Sequence, residues 1–301
     1  MKKSIILVVF AAFVFTIPNK SYAWGAKGHN LVAQIAFHFL DDSTKAIVQK
    51  YLGNMTFEEA STWMDESKGN TYYNYMRSWH YFDVDKGAEI KVTPERNMLT
   101  IIYSSLKELE KVDQLKKKDI NRDLKLLFHL IGDLHQPLHC GYESDKGGNS
   151  ISIHSPFVSG NLHSVWDTQI IEYIPINLAD CLKVYDSLSK DQIKDIRKIN
   201  VLGWYKQSRS YLDTAYNFKD GLLDKPYLDN MAPIIRLQLL RGGLRLASVL
   251  TNVFNPKHKD ANDAAANYGF NEYFNYYNYV ALNTNIQTPF PFFVEDHDDC
   301  F

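Results

Sequence analysis

Apolar residues recur at helical spacing along most of the chain. In the stretch GHNLVAQIAFHFL they fall on one face of a helix, at Leu31, Val32, Ile35, Ala36 and Phe39. Other stretches share this pattern or are apolar almost all round: TFEEASTWMDESK, TPERNMLTIIYSSLKELEKV, DLKLLFHLIGDLHQ, SVWDTQIIEYI, VLGWYKQSRSYLDTAYNF and YLDNMAPIIRLQLLRGGLRLASVLTNVF. The pattern therefore predicts a mainly helical protein.

Local signals indicate where some of these helices begin and end. Thr56 and Glu59 have the spacing of a capping box. Thr93 followed by Pro94 is a start signal for the next helix. The stretch DLKLLFHLIGDLHQ should form a buried helix that stops before Pro137, because the residue before a proline disfavours helical geometry.

Strand-like sequence is confined to GGNSISI and PFVSG, which together predict one hairpin. No linker rich in Pro or Ser and no repeat separates Trp24 from Phe254. We therefore expect one all-α domain at 24–255 with a small β-hairpin. From 256 to 301 the chain is rich in Asn and Tyr, which predicts a loosely packed or disordered tail; the alternative is an aromatic surface for bases or a partner.

The first residues have the features of a secretory signal peptide. Lys2 and Lys3 precede an apolar stretch at 4–17 that is too short to span a bilayer, and Ala23 ends a cleavage pattern. We expect 1–23 to be removed, which gives a secreted or periplasmic protein without a membrane anchor. A retained anchor is the alternative.

Charge and cysteine content exclude two classes of protein. Removing the three lysines of the signal peptide leaves 30 basic against 35 acidic side chains, a formal charge of −5. Such a chain has no broad basic face for duplex nucleic acid, so any phosphate chemistry must use concentrated local charge. Three cysteines, Cys140, Cys181 and Cys300, allow at most one internal disulfide, which excludes a disulfide-stapled scaffold.

The segment HLIGDLHQPLH concentrates histidine in the helix predicted to be buried. His129 and Asp133 are four residues apart and share a helix face, and His139 follows where the chain turns. The stretch NLHSVWD repeats the spacing with His163 and Asp167. Packing alone explains two such pairs poorly, whereas histidine and aspartate are usual zinc ligands.

Further candidate ligands lie upstream. Asp65 is in WMDESKGN and His80 is in SWHYFDVD. The stretch WGAKGH begins with Trp24, whose α-amine and carbonyl become a chelating pair if cleavage frees the amine, and it contains His29. By contrast, His135 lies well round its helix from the ligand face and is predicted to be structural or solvent-facing.

In this order, WGAKGH, ASTWMD, SWHYFD, HLIGDLHQPLH, GGN and NLHSVWD resemble the zinc-dependent, single-strand-specific nucleases of the fungal and plant type. The resemblance covers most of 24–254. It implies the all-α fold that this family shares with zinc phospholipase C, three zinc ions, and hydrolysis of single-stranded DNA or RNA to 5′-nucleotides, with 3′-nucleotidase activity. It implies no stable protein partner.

The resemblance also assigns nine metal ligands. The first zinc ion would be held by Asp65, His80, His129 and Asp133. The second would be held by the amine and carbonyl of Trp24, by His29, and by Asp133 as a bridge. The third would be held by His139, His163 and Asp167.

Four more residues match the family's substrate side. Asp83 would orient the attacking water, and a surface carboxylate is the alternative. Tyr81 would stack on an unpaired base, and core packing is the alternative. Lys68 stands where relatives often carry arginine, but it lacks the two-pronged guanidinium. Asn149, in Gly-Gly-Asn, would approach the nucleotide unless these residues only form a hairpin turn.

Two other functions fit part of the sequence. A zinc phospholipase C shares the fold and metals, but its second histidine pair usually ends in Glu, where this chain has Asp167. Tyr81 and the residues of the NLHSVWD motif also favour nucleic acid over lipid as the substrate. A non-catalytic zinc protein would have closed sites of four ligands, whereas the third set offers only three side chains. The sequence therefore favours a nuclease.

Overall fold

The computed structural model describes residues 24–91 and 95–255. The predicted signal peptide, the Thr93–Pro94 start signal, the C-terminal tail and Cys300 lie outside these residues. Within them, no helix is long and apolar enough to cross a membrane.

The described residues form twelve α-helical segments, a hairpin and several short helices of other types. The α-helices are α1 Ala26–Phe39, α2 Asp42–Leu52, α3 Phe57–Glu66, α4 Met98–Leu109, α5 Lys117–Leu134, α6 Leu162–Ser164, α7 Ile170–Tyr173, α8 Leu178–Asp186, α9 Lys190–Ile196, α10 Val201–Arg209, α11 Leu212–Ala215 and α12 Lys225–Phe254. The 3-10 helices are Ser67–Gly69, Thr71–His80, Val112–Gln114, Pro137–Cys140 and Glu143–Asp145, and a π-helical turn spans Val165–Gln169.

The prediction of a mainly helical fold with one hairpin is confirmed. The strands are short: β1, Ser152–Ile153, pairs antiparallel with β2, Gly160–Asn161. Each strand has only two residues, and most of GGNSISI and PFVSG forms loops. The sequence pattern also missed α2, α8 and α9, which are short helices with only one to three buried residues each.

Helix α5 lies at the centre of the packing and supports the site. It contacts α3, α4 and α12, and α1 packs between α3 and α12. Every residue of α5 from Asp123 to Leu134 is buried, as its all-round apolar sequence predicts. The helix ends at Leu134, before Pro137, as predicted.

The capping predictions gave one correct start and one wrong one. The Thr56 hydroxyl accepts from the Glu59 amide at 3.1 Å, and the Glu59 carboxylate accepts from the Thr56 amide at 2.7 Å. Helix α4, however, begins at Met98, later than the start signal at Thr93 and Pro94 predicts. Asn97 and Thr100 cap it reciprocally, so that the buried amides of both residues have a hydrogen-bond acceptor.

Candidate metal centre and active-site cleft

The predicted side-chain ligands lie together in the folded chain. Among the described residues they form three groups, and in each group the ligand atoms lie within 4.8 Å of one another. The groups are His29 with His129 and Asp133, Asp65 with His80 and His129, and His139 with His163 and Asp167. The first two share His129, so they form one continuous cluster.

Asp133 is the centre of that cluster. Its Oδ1 lies 3.2 Å from His29 Nε2, which α1 brings from one side. Its Oδ2 lies 3.0 Å from His80 Nδ1 and 3.3 Å from His129 Nε2. Asp65, on α3, completes the cluster with its Oδ1 3.7 Å from His129 Nε2. A fully buried carboxylate between three imidazoles can bridge two cations.

The third group lies beside the end of α5. His139 is in the 3-10 helix that follows Pro137, His163 is in α6, and Asp167 is in the π-helical turn. His163 Nε2 lies 3.3 Å from Asp167 Oδ2, and His139 Nε2 lies 3.6 Å from Asp167 Oδ1. Single π-helical turns are frequent at functional sites, and here the turn carries a candidate ligand.

Backbone carbonyl groups fix the orientation of three imidazoles. The Nδ1 atoms of His129, His139 and His163 lie 2.7, 2.6 and 2.7 Å from the carbonyl oxygens of Ser61, His80 and Gly147, respectively. Each Nδ1–H therefore donates to a carbonyl group, which leaves Nε2, on the side of the carboxylates, as the nitrogen available to a metal ion. Metal-binding histidines are held in the same way.

Several ligand atoms are buried without a hydrogen bond of good geometry. They are His29 Nδ1 and Nε2, His80 Nε2, His139 Nε2, Asp133 Oδ1 and Asp167 Oδ2. Buried polar atoms are normally hydrogen-bonded, so this concentration of atoms without good hydrogen bonds fits a partner from outside the chain. The donors are nitrogen and carboxylate oxygen, which fits zinc.

Burial and mutual charge perturb the protonation of the cluster. Burial alone would lower the pKa of His139, but the carboxylates of Asp133 and Asp167 outweigh it and raise this pKa to about 9. Burial would raise the pKa of Asp133, yet His129 and His139 hold it well below its usual range. A metal ion bound here must therefore displace a proton from His139.

Two glycines in the motifs make room for these side chains. A Cβ atom at Gly132, in α5, would lie 2.7 Å from His29 Nδ1, so only glycine lets that ring approach the helix. Gly147 has a φ of +61°, and a Cβ there would lie 2.3 Å from the carbonyl oxygen of Leu138. The glycines of HLIGDLH and GGN thus have a steric purpose, and Gly147 also orients His163.

A cleft of about 1250 Å³ opens over the cluster. Its wall includes Asp65, His80, His139 and His163, together with the four predicted substrate-side residues, Lys68, Tyr81, Asp83 and Asn149. Tyr81 is 45 % exposed, which excludes the alternative that it packs in the core.

The other three substrate-side residues have defined contacts. Asp83 is half-buried, and its Oδ1 accepts from the Gly141 amide at 2.9 Å. Burial raises the pKa of Asp83 to about 7, so it is not an ordinary surface carboxylate. Lys68 contacts the Asp65 carboxylate, and the Asn149 amide donates to the Lys146 carbonyl at 2.9 Å.

Some residues support the candidate ligands from behind and were not predicted from the sequence. Gln136 is fully buried; its Nε2 donates to Asp167 Oδ1 at 2.5 Å, and its Oε1 accepts from the Leu138 amide at 2.6 Å. Gln136 thus orients a candidate ligand. The only indication in the sequence was its position between His135 and His139. A single glutamine at the end of a helix does not by itself indicate contact with a metal ligand.

Helix α10 clamps the two segments that carry Asp83 and His139. The Arg209 guanidinium donates to the carbonyl groups of Cys140 and Gly141 in one segment, and to those of Val84 and Asp85 in the other. One turn earlier, the Tyr205 hydroxyl donates to the Phe82 carbonyl at 2.9 Å. Sequence patterns could not identify this clamp because the partners are more than sixty residues apart and are backbone atoms.

His135 and the cysteines have structural environments. His135 is buried; its Nδ1 donates to the Ile131 carbonyl at 2.6 Å, and its Nε2 lies 2.7 Å from an Arg245 nitrogen. The structural prediction for His135 is therefore confirmed, and the solvent-facing option is wrong. Cys140 and Cys181 are buried free thiols, so they do not form a disulfide with each other.

Trp24 lies at the start of the described chain, and the backbone that follows it is bonded to Asp167 of the third group. Its side chain is fully buried, close to Gly28 in α1. The next amide, that of Gly25, donates to the carbonyl of Asp167 at 2.8 Å. Trp24 is therefore held beside the cluster, with α1 carrying His29 onward from it.

The chain is similar to known nucleases over most of its length, and the S1/P1 nuclease profile matches residues 24–255. Endonuclease 2 of Arabidopsis thaliana is 26% identical over 289 residues, which cover 83% of this chain and 97% of that protein. Nuclease S1 of Aspergillus oryzae is 25% identical, over 81% of this chain and 96% of its own length. Nuclease P1 of Penicillium citrinum is 26% identical, over 76% and 97%. The chain therefore belongs to the S1/P1 nuclease family.

Proposed function

We propose that the protein is a secreted, zinc-dependent phosphodiesterase that cleaves single-stranded DNA or RNA to 5′-nucleotides and also acts as a 3′-nucleotidase. One observation supports this most directly. Orphaned histidine and aspartate atoms converge at the floor of a cleft whose wall exposes Tyr81. The floor fits metal ions and phosphate, and the exposed ring fits an unpaired base.

Three zinc ions would be held by the ligands that the family resemblance assigns. Asp65, His80, His129 and Asp133 would hold the first ion, and the third would be held by His139, His163 and Asp167. The second would be held by His29, Asp133 and the backbone of Trp24. When bound, zinc ions supply positive charge for a phosphate. They also make a water molecule acidic enough to lose a proton near neutral pH and so become a nucleophile. This local charge offsets the negative net charge of the chain.

The chain's own groups place the reacting partners. The Gly141 amide holds Asp83 Oδ1, so the Asp83 carboxylate is fixed on the cleft wall, where it would orient the attacking water. A carboxylate with a raised pKa can also hold a proton near neutral pH. Lys68 would add positive charge beside the phosphate, and Asn149 would contact the nucleotide.

Tyr81 would provide the preference for single strands. Stacking on an aromatic ring accepts any base, but it requires a base that is not paired and stacked within a duplex. The 45 % exposure of Tyr81 on the cleft wall meets this requirement.

The proposal includes processing at the N-terminus. Cleavage after Ala23 would free the α-amine of Trp24, and the domain would then run over 24–255. The family match also begins at residue 24, and Trp24 is buried beside the third group. The α-amine is useful as a ligand only in the processed chain.

The direct test is hydrolysis of heat-denatured and duplex DNA by the protein beginning at Trp24, at matched salt and with zinc present. We expect rapid loss of the denatured strand, ending in 5′-mononucleotides, and restoration of activity by zinc after chelation. Equal attack on duplex DNA would contradict the assignment to single strands. Cleavage of phospholipid head groups but not of nucleic acid would favour the phospholipase alternative.

A further inference from the structure

A row of exposed side chains leads along the protein surface into the cleft. The helix Thr71–His80 is a 3-10 helix, in which three residues make one turn and every third side chain shares a face. Tyr72, Tyr75 and Ser78 therefore line one face, and Tyr81 follows them at the end of the helix. Tyr72 is 43 % exposed and Tyr75 is 42 % exposed, nearly as much as Tyr81.

The row is continuous with the cleft wall. The ring of Tyr75 lies 5.2 Å from the buried ring of Trp79, and the Arg96 guanidinium lies 5.6 Å from that ring on the cleft side. Ser78 and Arg77, on the same 3-10 helix, also line the cleft. Tyr75 and Arg96 thus contact the same Trp79 ring, and Arg77 is on the same 3-10 helix as the tyrosines. Aromatic rings combined with positive charge are typical of single-strand binding surfaces.

We propose that Tyr72 and Tyr75 extend the substrate path beyond Tyr81 and bind further bases of the same single strand. This inference rests on the proposed nuclease function and adds subsites to it. The enzyme would then hold a long strand at several bases, which favours internal cleavage over removal of a terminal phosphate.

The spacing of the row suits an unstacked strand. The ring centroids of Tyr72 and Tyr75 are 6.4 Å apart. Successive bases within a duplex strand are only about 3.4 Å apart, so two neighbouring bases can reach two successive tyrosines only after they separate. A single strand separates its bases at small cost, whereas a duplex must break its pairs. The row would therefore strengthen the selectivity that Tyr81 provides.

The first test uses the unaltered protein that begins at Trp24, with zinc. KM is measured for a 3′-mononucleotide and for single-stranded oligothymidylates of increasing length. The row predicts that KM continues to fall beyond the dinucleotide, as bases reach Tyr75 and then Tyr72. A KM that stays constant beyond the dinucleotide would overturn the inference, although the proposed nuclease function would stand. If no oligonucleotide is cleaved at all, the proposed function itself fails.

The second test compares variants on long and short substrates. For Tyr72→Ala and Tyr75→Ala, we expect KM for the long strand to rise by about 5- to 150-fold more than KM for the mononucleotide, since this is the usual effect of losing base stacking on an aromatic ring. Tyr72→Phe and Tyr75→Phe keep the ring and should retain the long-strand KM. Tyr173→Ala is the matched control, because Tyr173 is 38 % exposed on α7 and does not line the cleft.

Two outcomes would contradict the row as a substrate path. An equal change of KM for all substrate lengths would indicate that the tyrosines only support the fold around His80. Kinetics that stay unchanged for every substrate length in the alanine variants would show that the row does not bind the strand.

Discussion

The two sides of helix α5's C-terminal end place histidines in opposite environments. His129 and His139 face the carboxylates of Asp133 and Asp167, whereas His135, between them in sequence, faces the guanidinium group of Arg245. All three rings are buried, and each donates through Nδ1 to a backbone carbonyl. Burial and ring orientation therefore do not distinguish them.

The charge opposite Nε2 makes the difference. Burial and the charge of Arg245 hold the pKa of His135 well below its usual range, so its neutral ring accepts from the guanidinium and its hydrogen bonds are complete. On the other side, Nε2 of His139 is orphaned beside carboxylates that raise the pKa of this ring to about 9. A buried histidine is a candidate ligand where anionic groups surround an unpaired nitrogen, and a structural residue where a cation already occupies that position.

The largest effect is expected for Asp133→Asn, which removes the negative charge at the centre of the anionic side. We expect activity to fall by more than about 100-fold. Even groups that only contact a metal ligand usually contribute about 10- to 100-fold to metal affinity or activity. Zinc content and hydrolysis of denatured DNA measure the change. Asp195→Asn, on exposed α9, is the matched control. Full zinc content together with full activity in Asp133→Asn would refute the bridging role.

A narrower loss is expected for His139→Ala, which removes one of three side chains from the third group. Bound zinc should fall by one ion per chain while the other two ions remain, because the substitution removes none of the predicted ligands of those two ions. Activity should fall by about 100-fold or more, since a direct ligand outweighs a supporting group. Nuclease activity that persists at the original level would show that the ligand assignment is wrong.

A smaller effect is expected for Gln136→Leu, which keeps the side-chain volume but removes the donor to Asp167. The affinity of the third group for zinc should fall about 10- to 100-fold, the usual cost of losing a group that orients a ligand. Titration of the metal-free protein with zinc measures this. Gln49→Leu, on exposed α2, should leave the titration unchanged. An unchanged affinity in Gln136→Leu would mean that Asp167 is held by its helix alone.

Two pairs of candidate ligands could be predicted from the sequence itself, because each pair places histidine and aspartate at a fixed helical spacing; the other candidates follow only from the resemblance to the nuclease family. His129 with Asp133, and His163 with Asp167, need only one turn of helix to meet. The overall helical fold was predictable for a similar reason, since the apolar period records which face is buried. Both inferences use local geometry that a helix imposes on any sequence.

The supporting residues could not be predicted because their partners are distant and mostly backbone. Arg209 contacts four backbone carbonyl groups. Because every residue has a carbonyl group, the sequence does not indicate which ones a side chain contacts. The start of α4 was misplaced because the reciprocal cap that Asn97 and Thr100 form at Met98 was not recognised in the sequence. His135 was assigned correctly away from the ligand face, but its burial depends on Arg245 in α12, more than a hundred residues away.

The smallest effect on activity is expected for His135→Ala, which changes the histidine that faces Arg245 and leaves those that face the carboxylates intact. Arg245 would lose a buried acceptor, so the free energy of unfolding should fall by about 1–3 kcal/mol. Thermal and denaturant unfolding measure this loss, and His38→Ala, at the exposed end of α1, is the control. Zinc content should stay that of the unaltered protein, because the carboxylates and their imidazoles lie on the other side of the helix end. Loss of zinc from His135→Ala would mean that the two sides are not independent, and that the charge facing Nε2 is not sufficient to separate a structural histidine from a ligand.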